Sequence, residues 1–262
     1  MLLIGLFGVN KAFGQFQKDL KKALDTQNSI LLKKYTDKIL VHYKNTTASW
    51  SCSREITSNY REEVINIKKI VPDKNDAAIA TIYSFRVNLI LHGNTIIYYD
   101  FSEKKNRKAV HEWSSYGETE WVEYFEPIAK FKSTNGYLDF RKDFSALFQA
   151  DIQETEIFTV GPVYGEHCYI SGTDPTGRVQ VNNFVRNKDK KSLLKWLQSG
   201  NTEKQVYAVD GLWQLGRMGI KLTAQELKMV SFVKNTKSCV STCSGCLSIN
   251  WSVHDMTSKF KF

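Results

Sequence analysis

Several features are absent from this 262-residue sequence, and each absence removes a class of explanation. Beyond the first residues no stretch is long and apolar enough to cross a membrane, which takes about 20 consecutive apolar residues. There is no recognisable nucleotide-binding loop, catalytic triad or HExxH pair, so the common local signatures of enzymes are missing. That absence favours binding over catalysis, although sites assembled from distant residues leave no such trace. No lipobox cysteine directly follows the apolar start, so no lipid anchor is implied. The net charge is +9 but lysines are interleaved with acids, and only Lys104-Lys105-Asn106-Arg107-Lys108 is a compact basic run. That run reads as a solvated hairpin tip, and nucleic acid is not expected as a partner.

What is present begins at the ends. Residues 2–9 are apolar, and Ala12-Phe13-Gly14 ahead of Gln15 fits the small-residue cleavage rule of secretion signals. The basic residues that open such signals are lacking after Met1, so the true start lies upstream or Met1 is an internal start. The expectation is a signal over 1–14 and a soluble mature chain from about Gln15, periplasmic or secreted. Hydrophobic content of 42% and charged content of 24% then suit an ordinary globular chain.

Phe16, Leu20, Ala23 and Leu24 mark one face of a helix. A second helical stretch through Ile30, Leu32 and Tyr35 follows. Ile39 to Tyr43 is expected as a strand and Arg54 to Tyr60 as a short helix. Val64 to Val71 reads as a strand. From Asp76 to Leu91, Tyr83, Phe85, Val87, Leu89 and Leu91 alternate as in a half-buried strand. His92-Gly93-Asn94 turns the chain into Thr95 to Phe101, and Ala109 to Tyr116 continues the meander.

The run Ala23-Leu24-Asp25-Thr26-Gln27-Asn28-Ser29-Ile30-Leu31-Leu32, with Tyr35 and Asp37 ahead of Ile39-Leu40-Val41, resembles the opening of nuclear-transport-factor-like (SnoaL-like, cystatin-like) cone domains. The later His111-Glu112-Trp113 fits the same pattern, so the resemblance spans about 16–116. It implies a curved antiparallel sheet around an apolar pocket, used by binders and enzymes alike. His42, His92 and His111 are candidates to line it.

Glu118 to Phe158 is aromatic and acidic and hard to divide, apart from a helix around Phe140, Phe144 and Phe148. Glu120, Glu123 and Glu126 read as a solvated face. His167-Cys168 sits in a glycine-bounded loop and lacks the third group a nucleophile pair needs. The C-terminal third reads as helices. Asp189 is a cap, and Thr202 with Gln205 and Thr223 with Glu226 form capping boxes. Leu194-Lys195-Trp196-Leu197, the Ser199-Gly200-Asn201 turn and the following Val206-Tyr207-Ala208-Val209 with Leu212 are similar to one HEAT-like helical hairpin, a pattern that usually presents a protein-binding surface.

Cys239, Cys243 and Cys246 fall within eight residues of one another. Three readings stay open. A disulfide would link two of Cys168, Cys239, Cys243 and Cys246, as suits an oxidising compartment. A zinc site would use Cys239, Cys243 and Cys246 with His254 or Cys168. A redox pair Cys243-Ser-Gly-Cys246 would need a strand before it and a helix beginning at the first thiol. The disulfide is favoured, with Cys52 left as the odd thiol, and no other cofactor is implied. The tail also resembles a group of exported bacterial proteins that end in Cys-Ser-Gly-Cys.

The expected organisation is α+β: N-terminal helices on a curved antiparallel sheet over 15–160, a linking loop over 161–176, a small all-α HEAT-like domain over 177–236 and a cysteine tail over 237–262. The expected function is non-catalytic binding or structural support in the cell envelope, with a protein or envelope component as partner. A small-ligand binder or enzyme using the cone pocket is the alternative, followed by a zinc-binding or redox-active tail.

Overall fold

Phe16, Leu20 and Leu24 are spaced to share one helical face, and α1 (Ile4–Leu24) buries all three. The computed structural model describes residues 4–73, 79–110, 119–159, 163–168, 172–245 and 247–262. The boundary expected at Gly14 falls inside α1, whose backbone runs through it unbroken. Gln27 takes a left-handed φ of 52°, and the Asn28 side chain accepts from the Ile30 and Leu31 amides. This starts α2 (Ser29–His42). The strand expected over Ile39–Tyr43 is instead the end of that helix and the residue after it. A short apolar run fits either state, and periodicity alone does not choose.

Next come β1 (Thr46–Trp50), β2 (Arg54–Glu55), β3 (Tyr60–Pro72), β4 (Ala80–His92), β5 (Thr95–Val110) and β6 (Thr119–Lys132). The helix expected over Arg54–Tyr60 is absent: β2 pairs with the start of β3 and the chain bends between them. The main sheet runs β1-β3-β4-β5-β6, and its described pairings are antiparallel. Phe85, Val87, Leu89 and Leu91 do alternate inward, joining Ile65, Ile67, Tyr99 and Phe101 against Phe16, Leu20, Leu24 and Leu32. Gly93, at φ +57°, makes the β4–β5 turn.

The basic run is not a hairpin tip. Lys104 to Lys108 lie within β5, in register with Phe125 to Trp121 of β6. Lys104 Nζ is 2.6 Å from Glu123, Arg107 lies 5.3 Å from the Tyr124 ring and Lys108 lies 5.6 Å from the Trp121 ring. The run is thus paired with acids and π faces across the strands. His111-Glu112-Trp113 lies outside the described residues.

The remaining elements are α3 (Thr134–Phe148), α4 (Glu154–Ile157), β7 (Tyr164–Cys168), α5 (Thr176–Arg186), α6 (Lys190–Leu197), α7 (Thr202–Arg217), α8 (Ala224–Asn235), β8 (Cys239–Gly245), β9 (Leu247–Ser252) and α9 (Val253–Thr257). The chain divides into two compact units. The first holds the residues up to Ser51 and Glu63–Tyr137, and the second Cys52–Glu62 and Leu138–Phe262. The boundary expected at 160 lies inside the second unit.

The C-terminal part is not all-α. β7, β8 and β9 form a three-stranded sheet in which β7 runs parallel to β8. The expected linking loop supplies β7, and the cysteine tail supplies the other two strands. Helix α7 is buried on almost every side, with Val206, Tyr207, Ala208, Val209, Leu212 and Leu215 all closed off from solvent. The Thr223–Glu226 capping box and the Asp189 cap form as expected. At α7 the cap is Asn201, one residue before the expected Thr202, and its side chain accepts from the Lys204 amide.

Candidate functional site

The cysteines are used within the C-terminal unit. Cys52 and Cys239 form one pair at disulfide distance, with Cα atoms 6.2 Å apart, and Cys168 and Cys243 form another at 5.5 Å. Both separations suit a disulfide. Cys52, expected as the odd thiol, is therefore engaged. Cys168 does meet a tail cysteine, and it is Cys243. Cys246 lies outside the described residues. Cys243 sits within strand β8, not at a helix start, so the surroundings that a thioredoxin-like pair requires are not met. Among the described residues no group of three or more His, Cys, Asp or Glu side chains could hold a metal ion. His254, on α9, faces the Lys234 carbonyl oxygen at 3.2 Å.

Charged groups surround both cysteine pairs, and Glu203, Arg178 and Asp210 among them are buried. Beside Cys52, Arg54 grips both oxygens of Glu203 at 2.6 and 3.3 Å, and the Ser241 amide donates to the same carboxylate at 3.0 Å. Glu55 accepts from the Lys237 amide at 2.9 Å and from the Thr236 hydroxyl at 3.0 Å. Beside Cys168, Arg178 Nη1 lies 2.7 Å from Asp210 Oδ2, and Tyr164 and Gln214 donate to the same carboxylate at 3.1 and 3.0 Å. The Arg178 guanidinium lies 5.3 and 5.0 Å from the Tyr164 and Tyr207 rings. Burial pushes the Tyr207 phenol up to about 12, and burial followed by the Asp210 charge raises Tyr164. Both phenols stay protonated and serve as donors: Tyr207 donates to the Val163 carbonyl at 2.8 Å. Gly165 has to be glycine, because a Cβ there would run into the carbonyl and sulfur of Cys243. These groups satisfy one another, as buried polar networks must, and they hold β7 against the helices.

In the N-terminal unit a cavity of about 890 Å³ is lined by Asp19, Lys34, Tyr35, Asp37, Lys38 and Tyr43, with Val41 and His42 at its rim. The Tyr43 hydroxyl donates to Asp19 at 2.7 Å. Burial first, then Asp19, pushes Tyr43 up to about 12. Lys69, only 8% exposed, places its Nζ 4.6 Å from the Tyr43 ring and 5.6 Å from the Phe16 ring, and burial lowers its pKa. Lys34 and Lys38 stand against Asp19 and Asp37 in this lining, and with two phenols and Val41 around one opening it suits a small ligand that is part apolar and part polar. His42 does line this cavity. His92 is exposed at the end of β4, and His111 lies outside the described residues.

A smaller cavity of about 430 Å³ in the C-terminal unit is polar. On its wall Glu156 is held by Lys204 at 2.8 Å and by the Ser199 hydroxyl at 2.7 Å.

Of the other sequence candidates, Glu123 and Glu126 are exposed on β6, and the Glu120 side chain is outside the described residues. His167 is exposed near Asp174 at 3.6 Å, while Cys168 is taken by Cys243. Sequence reasoning missed the Tyr43–Asp19–Lys69 grouping, because its members come from three separate stretches of chain. Compared with known proteins, the chain matches no family model, no curated protein and no solved structure.

Proposed function

We propose that the protein is an exported, non-catalytic binding protein of the cell envelope, in which the N-terminal unit receives a small ligand and the C-terminal unit is a cross-linked scaffold. The use of the cysteines carries this reading. All four described cysteines lie in two pairs at disulfide distance, which suits an oxidising compartment. The buried charges around them are likewise spent on one another. Such an arrangement stiffens a fold and leaves no unpaired thiol among the described residues.

The cavity between α1 and α2 favours small-ligand binding as the N-terminal activity. Two helices ahead of an antiparallel sheet agree with the cone-domain reading of residues 16–116, and an opening lined by Val41, two tyrosines and the balanced charges of Lys34, Lys38, Asp19 and Asp37 supports a small amphipathic molecule as the ligand class. Anilinonaphthalene sulfonate, an aromatic anion, tests it. The oxidised full chain binds the dye saturably, and Val41→Glu abolishes the signal without changing the melting temperature. Dye binding that survives Val41→Glu, or none in the parent, removes the cavity from the proposal. Intact mass before and after reduction tests the scaffold: an unchanged mass means free thiols and no oxidising destination.

A further inference from the structure

The two sheets end on very different edges. β6, at the edge of the N-terminal sheet, carries Glu120, Glu123, Glu126, Lys130 and Lys132 and is broken by Pro127. Charges and prolines of this kind keep an edge from pairing with another chain. β9, at the edge of the C-terminal sheet, has neither: Leu247-Ser248-Ile249-Asn250-Trp251-Ser252 is uncharged and free of proline. Its large residues are also in the open, Leu247 at 64% exposure, Ile249 at 47% and Trp251 at 50%.

Strand alternation puts those three on one face. The register places Trp251 beside Val240 and Ile249 beside Thr242 of β8, and both β8 residues are buried. The layer that covers β8 therefore stops short of β9. An apolar row on a strand whose outer edge faces no other strand among the described residues is the arrangement that accepts an added strand.

We infer that the free edge of β9 is a docking site for an extended, acidic segment of a partner protein, which adds as a fourth strand and lays its apolar side chains beside Leu247, Ile249 and Trp251. Charge selects the acidic partner. From Lys228 to the end the chain carries five lysines against the single acid Asp255, and two of them flank the end of β9: Lys237 precedes Ser238, whose carbonyl accepts from the Val253 amide, and the Lys234 carbonyl meets His254. A second copy would bring the same positive tail to the contact. It would also bury little: three side chains fall short of the roughly 800 Å² per partner of a stable dimer. A peptide strand needs less area, because main-chain hydrogen bonds supply much of its affinity. One cysteine pair at the first residue of β8 and another at its fifth hold the receiving ladder in place before binding, which lowers the cost of ordering it.

The probe is an eight-residue peptide alternating valine and glutamate, with blocked ends, added to the oxidised full-length chain. It binds, and amide hydrogen exchange slows across 247–252. A valine–lysine peptide of the same length binds at least about tenfold more weakly, a difference of about 1.4 kcal/mol. An N-methylated valine–glutamate peptide, unable to complete the ladder, does not bind. The double variant Ile249→Ser with Trp251→Ser weakens binding by about tenfold or more and keeps the parent melting temperature. Should that variant fail to fold, the peptide controls on the parent chain still decide. Equal binding of the lysine or N-methylated peptide overturns the proposal, as do unchanged exchange at 247–252 and self-association of the chain alone that the double variant removes.

Discussion

Arg54 and Glu203, 149 residues apart in sequence, meet as a two-pronged ion pair in which both carboxylate oxygens are held. Only 3% of the Glu203 side chain is exposed, so removing one partner leaves the other charge buried. Glu203→Gln is expected to lower the unfolding free energy by about 3 kcal/mol. A cycle with Arg54→Met and the double variant, followed by urea unfolding, should return a coupling of at least about 1 kcal/mol. A coupling near zero would mean that the pair is solvated.

Cross-linking is the next expectation. Non-reducing peptide mapping should find Cys52 joined to Cys239 and Cys168 joined to Cys243, spans of 187 and 75 residues. Loop entropy assigns such spans about 4 to 5 kcal/mol each, taken singly. Cys168→Ala is therefore expected to depress the melting temperature strongly in oxidised protein and much less under reductant. Peptides linked in any other pairing would refute the assignment.

Acid should weaken the C-terminal unit through Glu156. Burial alone would raise its pKa, but hydrogen bonds from Lys204 and Ser199 and the lysine charges outweigh that and hold it below the ordinary 4.5. A carboxylate lowered in the folded state stabilises above its unfolded pKa, and the contribution is lost as pH falls through the folded value. Glu156→Gln should flatten the stability profile below pH 4.5 and lower the plateau above it. Identical acid limbs in parent and variant would count against the ion pair.

Gly177, in the first turn of α5, has no room for a side chain. A Cβ there would stand 2.6 Å from the Tyr207 ring, and Tyr207 is fully buried and holds the Val163 carbonyl. Gly177→Ala should cost about 1 to 3 kcal/mol by overpacking, although alanine is the better helix former. The chemical-denaturation midpoint decides, and a stabilised variant would show that Tyr207 moves aside freely.

Local signals were legible where neighbours in sequence are neighbours in space. The alternation of Phe85, Val87, Leu89 and Leu91 and the Thr223–Glu226 box are of this kind. β6 was not legible, because Trp121, Glu123 and Phe125 share a face and mix aromatic with acidic character. Helix α7 was legible only in its apolar residues Val206, Ala208, Val209 and Leu212. Its polar residues Glu203, Gln205 and Asp210 are in fact buried, each with a remote or inter-element partner, and Lys204 pairs with Glu156. The pairing of β7 with β8 escaped notice because parallel strands here are joined over a long stretch of chain. Cys52 failed as the odd thiol for the same reason: spacing says nothing about a partner 187 residues away.

The excursion of Cys52–Glu62 into the second unit bears on how the chain is made and how it can be cut. Thr236, Ser238 and Cys239, which anchor this segment, are synthesised more than 180 residues after the Glu55 and Cys52 they hold. Arg54 and Cys52 must wait uncommitted while most of the chain is translated, and long-range closure of this kind is slow. Nor does any single scission yield both units whole. A fragment beginning at Leu138 leaves Glu203 without its arginine and Cys239 without its partner thiol, so domain-by-domain expression of this protein needs a rejoined or circularly permuted chain.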